Sequence, residues 1–287
     1  MKRRDFIGTA AVSTIGLTAY PKDYINKSED KKFELKNNIN HSVCEWCFND
    51  IPLEEFLQTL NELGIKNIDL LGPKDWPLLH KYNINCSMCN GAEISLTEGW
   101  NDPQYHPELI KRYSEMIPKV AENGFKNLIC FSGNRRGMSD TDGLANCIMG
   151  LKQIMPLAEK HGVVIQMELF NQQNHPDYMC DSSAWGVALC KGLGSDHFKL
   201  LYDIYHMQIQ EGDIIKSIRD NHQYFGHYHT AGVPGRNEID ETQELYYPAI
   251  MKAILETGYT GIVAQEFLCK YDDKIDSLKK AFKVCDV

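Results

Sequence analysis

What the chain lacks narrows its function before any motif is read. It has no excess of positive charge: 30 Lys and Arg face 39 Asp and Glu, for a formal charge of −9. A protein of that sign presents no general field to a phosphate backbone, so nucleic acid is not an expected partner. The weakly apolar segment GTAAVSTIGLTAY near the N-terminus falls short of the roughly 20 residues that span a bilayer, so no stable membrane span is expected. No glycine occurs in the first strand-like segment and its sequel, VCEWCFNDIP, where a dinucleotide-binding sheet needs its glycine-rich turn. Lys199 stands at the start of its strand-like run, the wrong end for a Schiff-base aldolase. These exclusions leave a small molecule as the expected partner.

Cysteine is not scarce, but the 10 residues form no compact disulfide framework. Cys44/Cys47 and Cys86/Cys89 have CxxC spacing, yet they lie in strand-like segments (HSVCEWCF and INCSMCNG) rather than in the tight turns of a zinc knuckle. Packing in strands or at a pocket wall is the expectation for both pairs. The N-terminus reads differently from the rest. Lys2, Arg3 and Arg4 precede the weakly apolar run, and a polar, charged stretch follows from 21 to 39. That order is the pattern of a twin-arginine export signal and linker, so residues 1–35 are set apart from a domain at 36–287 and a periplasmic location is expected.

Beyond the linker, short β-rich runs alternate with helical patterns eight times. The runs are SVCEW (42–46), NIDLLG (67–72), INCSMCNG (84–91), NLICFSG (127–133), VVIQMELF (163–170), FKLLYDIY (198–205), YFGHYHTAG (224–232) and GIVAQEF (261–267). Amphipathic segments such as 52–64, 107–124 and 143–162 lie between them. Gly64, Gly124, Gly162, Gly194 and Gly258 stand where helices should end, at positions that favour a residue tolerant of positive φ. Eight rounds of this α/β alternation predict a single (β/α)8 TIM barrel, whose active site gathers at the C-terminal ends of the strands.

At those ends stand Glu168, Asp203, His229 and Glu266, separated by 35, 26 and 37 residues, each about one βα unit. A barrel therefore brings them to one rim. Three carboxylates in a dry cavity repel one another unless a cation compensates. Three oxygens and an imidazole suit Mn2+ or Mg2+, with Co2+ and Zn2+ as alternatives. Strand alternation places His227 in the lumen one layer deeper, where it orients a ligand or lines the pocket, and turns Tyr228 toward the helices. His206 falls on the loop leaving strand six. Arg236, in the glycine- and proline-shaped loop AGVPGRNEID, is presented over the mouth, suited to a substrate carboxylate, phosphate or hydroxyl. Asn134 and Arg135, in FSGNRRGM, are further substrate candidates, and Trp46, Trp76 and Trp100 are candidate pocket walls.

The segments MELFN, DIYHMQ, HYHTAGVPGRNEID and QEF, with SVCEWCF near the start, resemble the hydroxypyruvate isomerase family of the xylose-isomerase-like sugar isomerase and epimerase superfamily. The resemblance runs from about Ser42 to Phe267. It implies Glu168, Asp203, His229 and Glu266 as metal ligands, Glu168 and Glu266 as the acid/base pair, and His206 and Arg236 as substrate contacts. Two departures stand out. Hydroxypyruvate isomerases proper tend to carry glutamine where this chain has His229, while ketose 3-epimerases carry histidine. Those epimerases also tend to have a glutamate where this chain has Asn174. The expected activity is metal-dependent isomerisation or epimerisation of a small hydroxycarbonyl or sugar substrate through an enediolate. A metal-dependent phosphodiesterase of the apurinic-endonuclease-like barrel type and a non-catalytic sugar-binding barrel are the alternatives, and a homo-oligomer is compatible with any of them.

Overall fold

The structure, a computed structural model, describes residues 33–287. The basic and apolar segment read as an export signal lies outside the described residues. Phe33 and Leu35, assigned from the sequence to the linker, pack against the core.

Eight strands form one parallel sheet: β1 (Asn40–Val43), β2 (Asn67–Leu71), β3 (Asn85–Cys89), β4 (Asn127–Cys130), β5 (Val164–Glu168), β6 (Phe198–Asp203), β7 (Phe225–Thr230) and β8 (Ile262–Gln265). Consecutive strands from β2 to β8 pair with one another, and β8 pairs back onto β1. A parallel bridge between Cys44 and Asp69 joins β1 to β2 and completes the turn of a (β/α)8 barrel. The crossovers supply α1 (Leu53–Glu62), α2 (Trp76–Tyr82), α3 (His106–Glu122), α4 (Asp140–Leu151), α5 (Met155–His161), α6 (Ser183–Leu193), α7 (Ile204–Gln210), α8 (Ile214–Asn221), α9 (Tyr247–Glu256) and α10 (Lys274–Cys285). None of the described helices is long and apolar enough to cross a membrane.

All five glycines expected at helix ends have positive φ, between 66° and 79°. The helical pattern over 143–162 divides into α4 and α5, because Pro156 in the first turn of α5 has no N–H to continue a helix from upstream. The strands are shorter than their apolar runs. Trp46 falls in a 3-10 turn (Glu45–Phe48), Glu266 lies just past β8, and His206 lies in the first turn of α7 rather than on a loop. Asp203 ends β6 and caps α7, its Oδ1 accepting from the His206 backbone N–H at 3.2 Å. Oδ2 is thereby left to face the barrel mouth.

One strand departs from regular geometry. The pairing of β2 with β3 slips on both sides of Asp69, and Leu70, skipped in the second slip, takes φ +65°. For a leucine that conformation costs roughly 1–2 kcal/mol. Bulges of this kind bend a strand and re-aim its side chains. Here Leu70 faces the mouth cavity and Asp69 is wholly buried beneath it.

Candidate active site

Glu168, Asp203, His229 and Glu266 converge at the C-terminal end of the barrel. One ligand-type atom from each lies within 4.8 Å of all the others, and all four side chains are buried. The sheet explains the convergence, since Asp203 and His229 are direct register partners across β6 and β7. His229 Nδ1 lies 2.9 Å from Glu266 Oε2 and 3.3 Å from Glu168 Oε1. Its other nitrogen, Nε2, faces Asp69 Oδ2 at 3.2 Å.

Three carboxylates are thus held in a site that water barely reaches. Burial raises Glu168, with Glu266 adding repulsion and His229 and Arg236 only partly opposing it. Burial likewise pushes Asp203 up to about 7, although Arg236 pulls the other way. Glu266 goes down: burial alone would raise it, but Arg236, His229 and the Trp46 hydrogen bond together hold it well below the usual carboxylate range. His229 is raised well above its ordinary value, because Cys44, Glu266 and Asp69 outweigh its burial.

This donor set fits a divalent cation. Glu168 Oε1 is buried with no hydrogen bond tighter than the 3.3 Å contact to His229, and a carboxylate so placed among two others calls for a counter-charge. The contact from His229 Nε2 to Asp69 leaves Nδ1 turned toward the carboxylates, which is the usual outer-sphere arrangement for a histidine ligand. Glu168, Asp203, Glu266 and His229 Nδ1 would hold the ion.

Arg236 sits at the same mouth. Its guanidinium lies between the rings of Trp46 and Tyr205, with Cζ 5.3 Å from each centroid. From there Nη2 reaches the Glu266 carboxylate and lies 3.4 Å from Asp203 Oδ2, while Nη1 lies 3.2 Å from His206 Nε2. The shaped loop expected from the sequence delivers it. Arg236 itself has φ +59°, its carbonyl accepts from Leu268 N–H at 2.7 Å, and a Cβ on Gly232 would stand 2.4 Å from the Glu238 carbonyl oxygen.

Above the carboxylates opens a cavity of about 570 Å3. Trp46, Leu70, Ile94, Leu96, Phe131 and Phe170 give it an apolar side, while Glu168, Glu266, Arg236 and His175, together with Asn90, Glu93 and Ser95, supply its polar lining.

The remaining sequence candidates divide. His206 is fully buried beside Asp203 and Arg236, and burial with the nearby guanidinium drives its pKa well down. His227 lies in the lumen one layer below the site, 2.6 Å from Asp69. Arg135 is not brought to the site: it pairs with Asp140 and Asp181 and donates to the Tyr178 and Met179 carbonyls. Asn134 bridges to Tyr178 and is likewise away from the cavity lining. Among the tryptophans, Trp46 lines the cavity and donates to Glu266 Oε1 at 2.8 Å, whereas Trp76 and Trp100 are core residues, 2% and 0% exposed. The CxxC cysteines are free and buried, as expected of wall and strand residues.

Two site residues escaped the sequence reading. Asp69 sits mid-strand in NIDLLG and is aimed inward by the bulge, which no local pattern announces. His175, in the loop after β5, stacks on Phe170 at 4.2 Å between centroids and faces the cavity. Its position just beyond MELFN was the available signal.

A family model described as a xylose isomerase-like TIM barrel matches residues 76–284. A 2-oxo-tetronate isomerase from Cupriavidus necator is 34% identical over 110 residues, covering 38% of this chain and 42% of that protein. A hydroxypyruvate isomerase from Escherichia coli K12 is 27% identical over 145 residues, 50% of this chain and 56% of its own. The chain is thus matched to about half the length of these relatives. A crystal structure titled as an AP endonuclease, family 2, from Brucella melitensis superposes with a TM-score of 0.71 at 23% identity, covering 83% of this chain and 96% of that one. At that identity the likeness speaks to the fold alone.

Proposed function

The chain belongs to the xylose isomerase-like TIM barrel family, and from that premise we propose that it is a metal-dependent isomerase or epimerase that moves a proton next to the carbonyl of a hydroxycarbonyl substrate. The observation that carries this reading is the buried convergence of Glu168, Asp203, His229 and Glu266 at the strand ends, with Glu168 and Glu266 lining one cavity. Mn2+ and Mg2+ are the ions the donor set favours, ahead of Co2+ and Zn2+. A divalent cation held there would polarise a carbonyl and its neighbouring hydroxyl and so acidify the C–H between them.

Within that scheme Glu168 is the better placed proton carrier. Its Oε1 has only the 3.3 Å contact with His229 Nδ1, and burial raises its affinity for a proton, the direction that suits a general base. Glu266 is fully engaged, with Trp46 on Oε1 and His229 and Arg236 on Oε2. It holds the site together and acts as the second carrier where the proton must return to the opposite face of the enediolate. Arg236 and His175, which line the cavity, would hold the substrate oxygens, with His206 buried behind Arg236 and in contact with it.

The cavity, at about 570 Å3, is far larger than a three-carbon keto acid fills, and one side of it is apolar. Those features support a longer ketose-like chain or a sugar ring over the smallest substrate. They do not support a phosphodiesterase, because among the described residues lining the cavity Arg236 is the one permanent cation.

Chelation tests the reading. Turnover of hydroxypyruvate or of simple ketoses is expected to vanish on removal of divalent ions and to return with Mn2+. An unchanged rate after complete removal contradicts it. The same proposal takes the N-terminal segment as an export signal, so replacing Arg3 and Arg4 by lysine should retain the protein in the cytoplasm.

A further inference from the structure

Below the four-residue site lies a second buried layer, built from Asp69, His227, Ser42 and Ser87, for which the reaction scheme has no use. We propose that Asp69 is a positioning residue, whose carboxylate fixes the ring of His229 so that Nδ1 faces Glu168 and Glu266. This rests on the reading of those residues as a cation site.

Every acceptor position on Asp69 is taken. Oδ2 faces His227 Nε2 at 2.6 Å and His229 Nε2 at 3.2 Å. Oδ1 accepts from the Ser42 hydroxyl at 2.6 Å and from the Ser87 hydroxyl as well, and the two hydroxyls lie 2.7 Å apart. A carboxylate with four donors around it is locked in orientation. A plain buried ion pair with His227 would need one of these contacts. The second contact goes instead to the candidate ligand, at the nitrogen opposite the one facing the carboxylates.

The backbone supports the same reading. Asp69 lies between two register slips in β2, beside the strained Leu70, and at the bridge to Cys44 where β1 meets β2. The bulge turns Leu70 into the cavity and leaves Asp69 buried directly below it. Local strain of this sort persists where the surrounding structure uses it.

Asp69→Asn separates this role from simple packing, since an amide offers one acceptor oxygen and a donor in place of two acceptor oxygens. Mn2+ affinity, measured by calorimetry on the full chain, is expected to fall about 10- to 100-fold in Asp69→Asn. Ser42→Ala removes one of the four donors, on the oxygen away from His229, and should lower Mn2+ affinity less than Asp69→Asn does. Should Asp69→Asn fail to fold, nitrogen-15 NMR of the Zn2+-loaded wild type decides: a retained proton on His229 Nε2 supports the proposal, and zinc bound at Nε2 overturns it. Unchanged Mn2+ affinity in a folded Asp69→Asn overturns the role of Asp69 alone. Absence of Mn2+ binding by the wild type overturns the cation-site reading beneath it.

Discussion

Arg236 and Glu266 form a largely buried ion pair at the mouth of the barrel, the carboxylate enclosed and the arginine part-buried over Trp46 and Tyr205 while its Nη2 reaches the carboxylate. The pair is the main local counterweight to three crowded carboxylates. Arg236→Ala should therefore destabilise the metal-free protein by about 3 kcal/mol, the usual scale for stripping one partner from a buried pair. Thermal melts check this. A divalent cation should raise the melting temperature of the variant more than that of the wild type, because the ion takes over charge that the arginine had balanced.

The two glutamates should answer differently to removal of charge. Glu168→Gln is expected to lower kcat by about 10^2- to 10^4-fold, the range for losing a general base. Its metal-free stability should be unchanged or improved, because a buried acid crowded by Glu266 is replaced by a neutral group and only the 3.3 Å contact with His229 is weakened. Glu266→Gln should lower both stability and rate, having lost its contacts with Arg236 and His229. Denaturation curves beside steady-state rates distinguish the two patterns.

Trp46 is 36% exposed within the cavity, while Trp76, Trp100 and Trp185 are at most 8% exposed. A ligand in the cavity should change the emission of this one tryptophan. Fluorescence titration with a ketose is expected to show quenching in the wild type and none in Trp46→Phe.

His41 gives a pH dependence remote from the site. Burial lowers it from its ordinary 6.5 to about 4, with Asp286 at 3.7 Å offsetting the effect only in part. The unfolded chain thus binds this proton more readily than the folded one. Its contribution to stability is complete above about pH 6.5 and is lost as the pH falls toward 4, by about 3 kcal/mol in all. Denaturant titrations across that range should show the slope, and His41→Asn should flatten it.

The barrel was legible because its signals are local and repeated. Apolar runs of strand length recur, helices close on glycines such as Gly64 and Gly162, and acids interrupt buried runs at the strand ends. The four site residues came from the same pattern, one βα unit apart. What escaped depends on contacts distant in sequence. Asp69 matters because its strand slips against β3 and places it against His229, 160 residues away. Arg135 looked free, yet Asp140, Asp181 and two carbonyls from the next crossover engage it. The tryptophans divided on the path of the chain after each strand, since a short 3-10 turn carries Trp46 over the mouth while Trp76 and Trp100 turn into the core.

Proton exchange tests the central claim most directly. With Mn2+ present and D2O as solvent, hydroxypyruvate or a longer ketose should gain deuterium at the carbon next to its carbonyl, and Glu168→Gln should abolish the gain. No deuterium at that carbon for any hydroxycarbonyl compound, with the ion bound and the protein folded, would contradict the account.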